Sequence, residues 1–137
     1  MPARIPRNVK VERVRLALLE ARPSGLNTHQ LCVATGLTIS QVRDGLTGIR
    51  EYAALEHLAP LIWSRKDGYV SAQDPGDCIG YERMQVHTEL TRIARLVTGT
   101  VYPHHQLAPD DDYPRLVLDQ LVGVRASLEG ITRLAVS

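Results

Sequence analysis

A single glycine divides the stretch THQLCVATGLTISQVRDGLTGIR, residues 28–50, into two short runs with helical periodicity. No other feature constrains the fold as much. A chain that must turn one helix sharply onto another needs a residue in the turn with positive φ, which glycine adopts without a Cβ clash. Gly36 stands at that point, and the small Cys32 lies four residues before it. Leu31, Leu37, Val42 and Leu46 then fall on inward-facing positions that can lock the two helices together. The pattern predicts a short helix over Thr28–Ala34, a turn over Thr35–Leu37, and a longer helix from Ser40 to about Leu58, ended near Pro60. This is the arrangement of a helix-turn-helix. A helical hairpin in a protein core is the plainer alternative for the same spacing.

The outward positions of the second helix are Thr38, Ser40, Gln41, Arg43, Asp44, Thr47 and Arg50. Most carry hydrogen-bonding side chains suited to base edges and phosphates; arginine can donate twice to guanine, and glutamine can pair with adenine. Thr38, Ser40, Gln41 and Arg43 are the candidate contacts to bases or adjacent phosphates, with Thr47 and Arg50 on the backbone.

The flanking segments extend the pattern. Residues 8–22 place Val11, Val14, Leu18 and the adjoining Leu19 on one helical stripe, with Asn8 as candidate N-cap and Pro23 as stop. PSGL, residues 23–26, reads as a turn. In LIWSRKDGYVSA, residues 61–72, alternation and the Asp67-Gly68 pair predict a two-stranded β-hairpin. Helix, helix-turn-helix and hairpin, in that order, predict a winged helix. Arg65 and Lys66 at the hairpin tip would then lie along a phosphate backbone, although charged residues are also common in solvated turns. Arg4 and Arg7 form a basic arm that could add contacts, and Trp63 is expected to pack the hairpin onto the helices.

Past a linker-like QDPGD, residues 73–77, the chain reads as two more helices. Residues 78–98 carry Val86, Leu90, Ile93 and Val97, and residues 113–135 carry Leu121, Val124, Leu128, Ile131 and Ala135, at spacings of three and four. These stripes suit helix-against-helix packing. Residues 100–114 read as a proline-broken loop, with Asp112 capping the last helix and Pro114 in its first turn. Two helices make too small a core to stand alone. They must fold back on the first half or pair with a second copy; pairing is favoured because helix-turn-helix proteins commonly occupy two half-sites. Gly123 and Gly130, seven residues apart, either permit close helix approach or merely loosen a surface helix. The expected architecture is therefore mainly α: a winged helix-turn-helix over residues 1–73, then a C-terminal helical hairpin, residues 74–137, that dimerises.

Charge is consistent with that division. Residues 1–73 hold ten Lys and Arg against six acids, a balance of +4; residues 74–137 hold six arginines against nine acids, a balance of −3. A basic half beside an acidic one suits a polyanion meeting the first half. The chain has 137 residues, 44% apolar and 23% charged, as in ordinary soluble domains. No apolar run approaches the roughly 18 residues of a membrane span. The basic N-terminus lacks an apolar signal core, which argues against secretion. Two cysteines, Cys32 and Cys78, form no disulfide framework, so a cytoplasmic setting is expected. Cys78 at a helix start could support thiolate chemistry. His104-His105 with Asp110-Asp111-Asp112 could be taken for a metal site, but no further ligand lies at the required spacing, and a polar loop is the simpler reading. There is no phosphate loop, no nucleophile motif and no reasoned carboxylate pair, so neither an enzyme nor a cofactor is expected.

The runs ARPSGLNTHQLCVATGLTISQVRDGLTGIRE and EHLAPLIWSRKDGYVSAQDPGDCIGYER resemble the RacP-type proteins of actinobacteria and their mobile elements. LTRIARLVTGTVYPH and RLVLDQLVGVRASLEGI are similar to them too, so the resemblance extends over nearly the whole chain from residue 8. Its helix-turn-helix part is shared by many regulators; PLIWSRKDGY and VLDQLVGVRASLEG are more distinctive. The resemblance implies a DNA-binding protein linked to prophages, integrated plasmids or their hosts, and it supplies no operator, ligand or catalytic residue. The expected function is sequence-specific binding of double-stranded DNA by a homodimer, in transcriptional regulation. A winged-helix scaffold for protein partners is the alternative, since Asp44 and Glu51 would weaken attraction to phosphate.

Overall fold

The computed structural model describes residues 4–134 and is mainly helical, with one two-stranded antiparallel sheet. Two compact units part between Tyr81 and Glu82.

In the first unit α1 spans Arg7–Ala21, α2 Thr28–Thr35 and α3 Ile39–Gly48. The stripe Val11, Val14, Leu18 of α1 is buried against Leu31 of α2, Leu37 of the turn, and Val42 and Leu46 of α3. The inward positions expected from spacing thus form the core. Burying a Leu or Val side chain contributes roughly 1.5–3 kcal/mol each, so this cluster is the main source of cohesion in the unit. Helix α1 begins two residues earlier than a cap at Asn8 would place it: its N-cap is Pro6.

Gly36 ends α2 with φ +72°, and its N–H donates to the carbonyl of Cys32. A Cβ there would meet nothing within 4 Å, so the demand for glycine is torsional, not steric. The close helix approach lies elsewhere. A Cβ on Gly45 would fall 2.6 Å from Val14 Cγ2 and 3.0 Å from the Lys10 carbonyl oxygen; one on Gly48 would fall 2.2 Å from Val11 Cγ2. The spacing Gly45-x-x-Gly48 puts both glycines on the face of α3 that crosses α1.

Helix α3 continues through a wide π-type turn, Ile49–Ala53, into the short α4, Ala54–Glu56. Strands β1, Leu61–Ser64, and β2, Gly68–Ser71, form the expected hairpin, with Leu61 opposite Ser71 and Trp63 opposite Tyr69. Leu26, in the segment before α2, adds an antiparallel bridge to Tyr69 on the other side of β2. Leu61 and Tyr69 carry the hairpin onto the core. Trp63 does not, contrary to expectation: it is 38% exposed, because the face it shares with Leu61 and Tyr69 runs out past the helices toward the tip. Arg22 fixes the base of the hairpin by donating to the Ser71 carbonyl and Oγ, each at 2.8 Å.

The linker expected at residues 73–77 is largely helical. Helix α5 spans Pro75–Leu96, with proline at its first position and the Asp74 side chain accepting from Gly76 N–H at 2.9 Å. Cys78 is buried near its start.

The second unit takes up the rest of α5 and continues through a π-type turn, Val97–Val101, into α6, Tyr102–Leu107. The loop expected over residues 100–114 is thus helical to Leu107. Pro103 cannot donate to a preceding carbonyl, and the wide turn before it, where Tyr102 N–H reaches back to Val97, absorbs that defect without ending the helix. Helix α7 spans Asp112–Thr132, capped by Asp111, whose side chain accepts from Tyr113 N–H at 3.1 Å; the expected cap, Asp112, is one residue inside. Val97 and Val101 are buried, and Val86, Leu90, Ile93, Leu121 and Leu128 are half-buried. Val124 and Ile131 are exposed, at 43% and 45%. A Cβ on Gly123 or Gly130 would meet nothing within 4 Å, so neither serves a close approach among the described residues. Ala135, the end of the expected stripe, lies outside them. No helix among the described residues is long and apolar enough to cross a membrane.

Candidate nucleic-acid interface

Helix α3 is held by residues of the core and presents its other side outward. Ser40, Arg43, Thr47 and Arg50 are exposed at spacings of three and four, one continuous stripe of a helix. Thr38 and Gln41 have a local duty as well. They form a reciprocal capping box: Gln41 N–H donates to Thr38 Oγ1 at 3.2 Å, and Thr38 N–H donates to Gln41 Oε1 at 2.9 Å. The helix therefore starts at Ile39, and Gln41 still has its amide NH2 to donate to a partner beyond the box. Asn27 and Gln30 form the same box at the start of α2. Both boxes were legible as N-x-x-Q and T-x-x-Q. Ile39, 53% exposed beside Ser40, is an apolar member of this surface that a search for polar side chains passes over.

The acids of this region are paired with α1. Lys10, only 8% exposed, donates from Nζ to Asp44 Oδ2 at 2.9 Å, and Arg7 donates to Glu51 Oε2 at 2.6 Å. The hydrogen bond from Lys10 holds the Asp44 carboxyl below the usual carboxylate range. The same logic raises the Arg7 guanidinium above its ordinary value through its hydrogen bond to Glu51. Arg7 is thus the first residue of α1 and an ion-pair partner, not part of a loose arm. It lines an open cleft with Arg4, Lys10, Asp44 and Thr47. No sequence pattern signals these two pairs, which join residues 34 and 44 positions apart.

The guanidinium of Arg50 lies 5.7 Å from the centre of the Tyr69 ring. Such stacking leaves the in-plane N–H groups available to an anion. Arg65 and Lys66 are exposed at the hairpin tip. Two glycines fix that tip against the segment before α2. A Cβ on Gly25 would fall 2.1 Å from the Asp67 carbonyl oxygen, and Gly68, at φ +75°, has Leu26 backbone 2.7 Å from the same point. Ser64 Oγ accepts from Asp67 N–H at 3.0 Å and closes the turn.

The remaining candidates are dispersed. His104 and His105 lie in the last turn of α6, apart from the aspartates that follow. Among the described residues no group of three or more His, Cys, Asp or Glu is arranged to hold a metal ion. No protein-family model, curated protein or solved structure matches this chain.

Proposed function

We propose that residues up to about Ala72 form a winged helix-turn-helix that binds double-stranded DNA, with α3 in the major groove and the β1–β2 hairpin as the wing. The observation that carries this reading is the charge on α3. The acids of α3 and of the π-type turn that continues it, Asp44 and Glu51, are engaged by Lys10 and Arg7, so Arg43 and Arg50 set the sign of the exposed stripe. The objection raised by those acids loses its force, and with it the main ground for a protein scaffold.

Arg43, Ser40, Thr38 and the amide of Gln41 are read as meeting base edges or adjacent phosphates. Thr47 and Arg50 are read as backbone contacts, with Arg65, Lys66 and Arg4 supplying sequence-independent attraction; Arg7, expected to join them, is taken up by Glu51. Residues 82–134 are read as the pairing unit of a homodimer. In that reading Val124 and Ile131 on α7 meet a second copy, together with the half-buried stripe Val86, Leu90, Ile93, Leu121 and Leu128; Val97, expected in the same stripe, is buried within the unit and packs there instead. Two modest half-site contacts then act jointly. The resemblance to RacP-type proteins points the same way, toward a transcriptional regulator connected with mobile elements.

Selection of bound fragments from a genomic DNA library tests the reading. Enrichment of a shared sequence, followed by a gel shift of that sequence, is the expected result. Failure to retain any duplex at low salt favours the scaffold.

A further inference from the structure

The hairpin tip and the start of α2 enclose an open cleft of about 340 Å³, within the size range of small-ligand sites. Trp63, Arg65 and Lys66 contribute from the hairpin, Asn27 and Gln30 from the start of α2, and Asp67 is the one carboxylate. Asp67 is drawn into the turn, where its Oδ2 lies 3.4 Å from Ser64 Oγ. In the capping box the Asn27 and Gln30 oxygens accept backbone N–H groups, which leaves the NH2 of each carboxamide as a donor. The cleft therefore joins an apolar aromatic wall to two cations and two neutral donors. That combination fits a ligand with an anionic group next to an apolar ring face.

The cleft is also continuous with the candidate interface. Trp63 and Tyr69 are directly opposed across the hairpin, so their side chains leave one face of the sheet. Arg50, at the end of the exposed stripe of α3, covers the Tyr69 ring. One surface thus runs from Arg50 through Tyr69 to Trp63 and the cleft.

The geometry points to this cleft as a seat for one sugar-phosphate unit of the DNA backbone. The deoxyribose packs on the Trp63 indole, and the phosphate is held by Arg65, Lys66 and the amide donors of Asn27 and Gln30. The inference rests on the DNA-binding reading and adds to it a residue that a count of cations does not reveal. Backbone phosphate and sugar receive a large share of the contacts in protein–DNA complexes, and an aromatic wall suits the apolar face of the sugar.

The chain has one tryptophan, so the intact protein carries its own probe. Fluorescently labelled duplex is titrated with protein, and anisotropy of the label and emission of Trp63 are followed together. Emission is expected to change in step with anisotropy. Trp63→Ala is expected to weaken binding about tenfold, and Trp63→Phe to stay near wild type. Because Trp63 is outside the buried core, circular dichroism is expected to show both variants folded. If anisotropy rises with no change in emission, or Trp63→Ala binds as wild type, the cleft is not the seat and the DNA-binding reading stands. If the labelled duplex is not bound at low salt, both fail.

Discussion

Lys10 Nζ lies 2.9 Å from Asp44 Oδ2, and the lysine side chain is 10% exposed where the aspartate is 55% exposed. A lysine of α1 whose side chain is mostly covered is therefore tied to a carboxylate at the surface of α3. Removing the carboxylate strands the cation, which is the costly way to break such a pair. Asp44→Asn is expected to lower the melting temperature at neutral pH. The sign with pH follows from the lowered Asp44 pKa: the stabilisation is present above the unfolded carboxylate range and is lost as pH falls through the lowered folded value. The gap between wild type and Asp44→Asn is thus expected to close on acidification. Thermal melts across that range check it, and a gap that widens in acid contradicts the pairing.

Gly45→Ala and Gly48→Ala are each expected to destabilise the protein by about 1–3 kcal/mol, the usual range for overpacking a close contact. Their new methyl groups would press on Val14, Lys10 or Val11. Gly123→Ala and Gly130→Ala, which open onto free space, are expected to gain up to about 1 kcal/mol from helix propensity. Urea unfolding of the four variants measures the contrast. Equal effects at all four sites would show that α1 and α3 do not cross at Gly45 and Gly48.

Arg43 and Lys66 are expected to fail differently. Arg43→Ala reduces discrimination between the selected sequence and random duplex. Lys66→Ala weakens both similarly and flattens the salt slope by about one unit. Gel shifts at several salt concentrations separate the two, and equal losses on both duplexes for Arg43→Ala remove it from the bases.

The pairing role of the second unit is tested at Val124 and Ile131, which are exposed and seven residues apart on α7. The double variant Val124→Asp, Ile131→Asp is expected to sediment as a monomer with unchanged helix content, against a wild-type dimer. A wild-type chain that sediments as a monomer at high concentration contradicts the pairing.

What the sequence disclosed was local. Leu31, Leu37, Val42 and Leu46 follow from helical spacing, the torsion at Gly36 from its place between two runs, and the hairpin from alternation ending at Asp67-Gly68. What it hid depended on residues distant in the chain or on competition between neighbours. Arg7 looks like a free cation until α1 lies beside Glu51. Trp63 looks like core until the helices stop short of it. Pro103 looks like a helix break until a wide turn compensates for its missing donor. Asp111 and Asp112 are equivalent caps by composition, and only backbone geometry chooses between them. Gly45 and Gly48 were legible in principle, since two glycines inside one helix are costly unless a neighbour needs the space.

The most direct measurement follows backbone amide NMR signals of the whole chain as a selected duplex is added at low salt. Shifts are expected to concentrate at Ile39–Arg50 and at Ser64–Gly68. Shifts confined to residues 82–134, or none at all, would contradict the assignment of α3 and the hairpin tip to DNA.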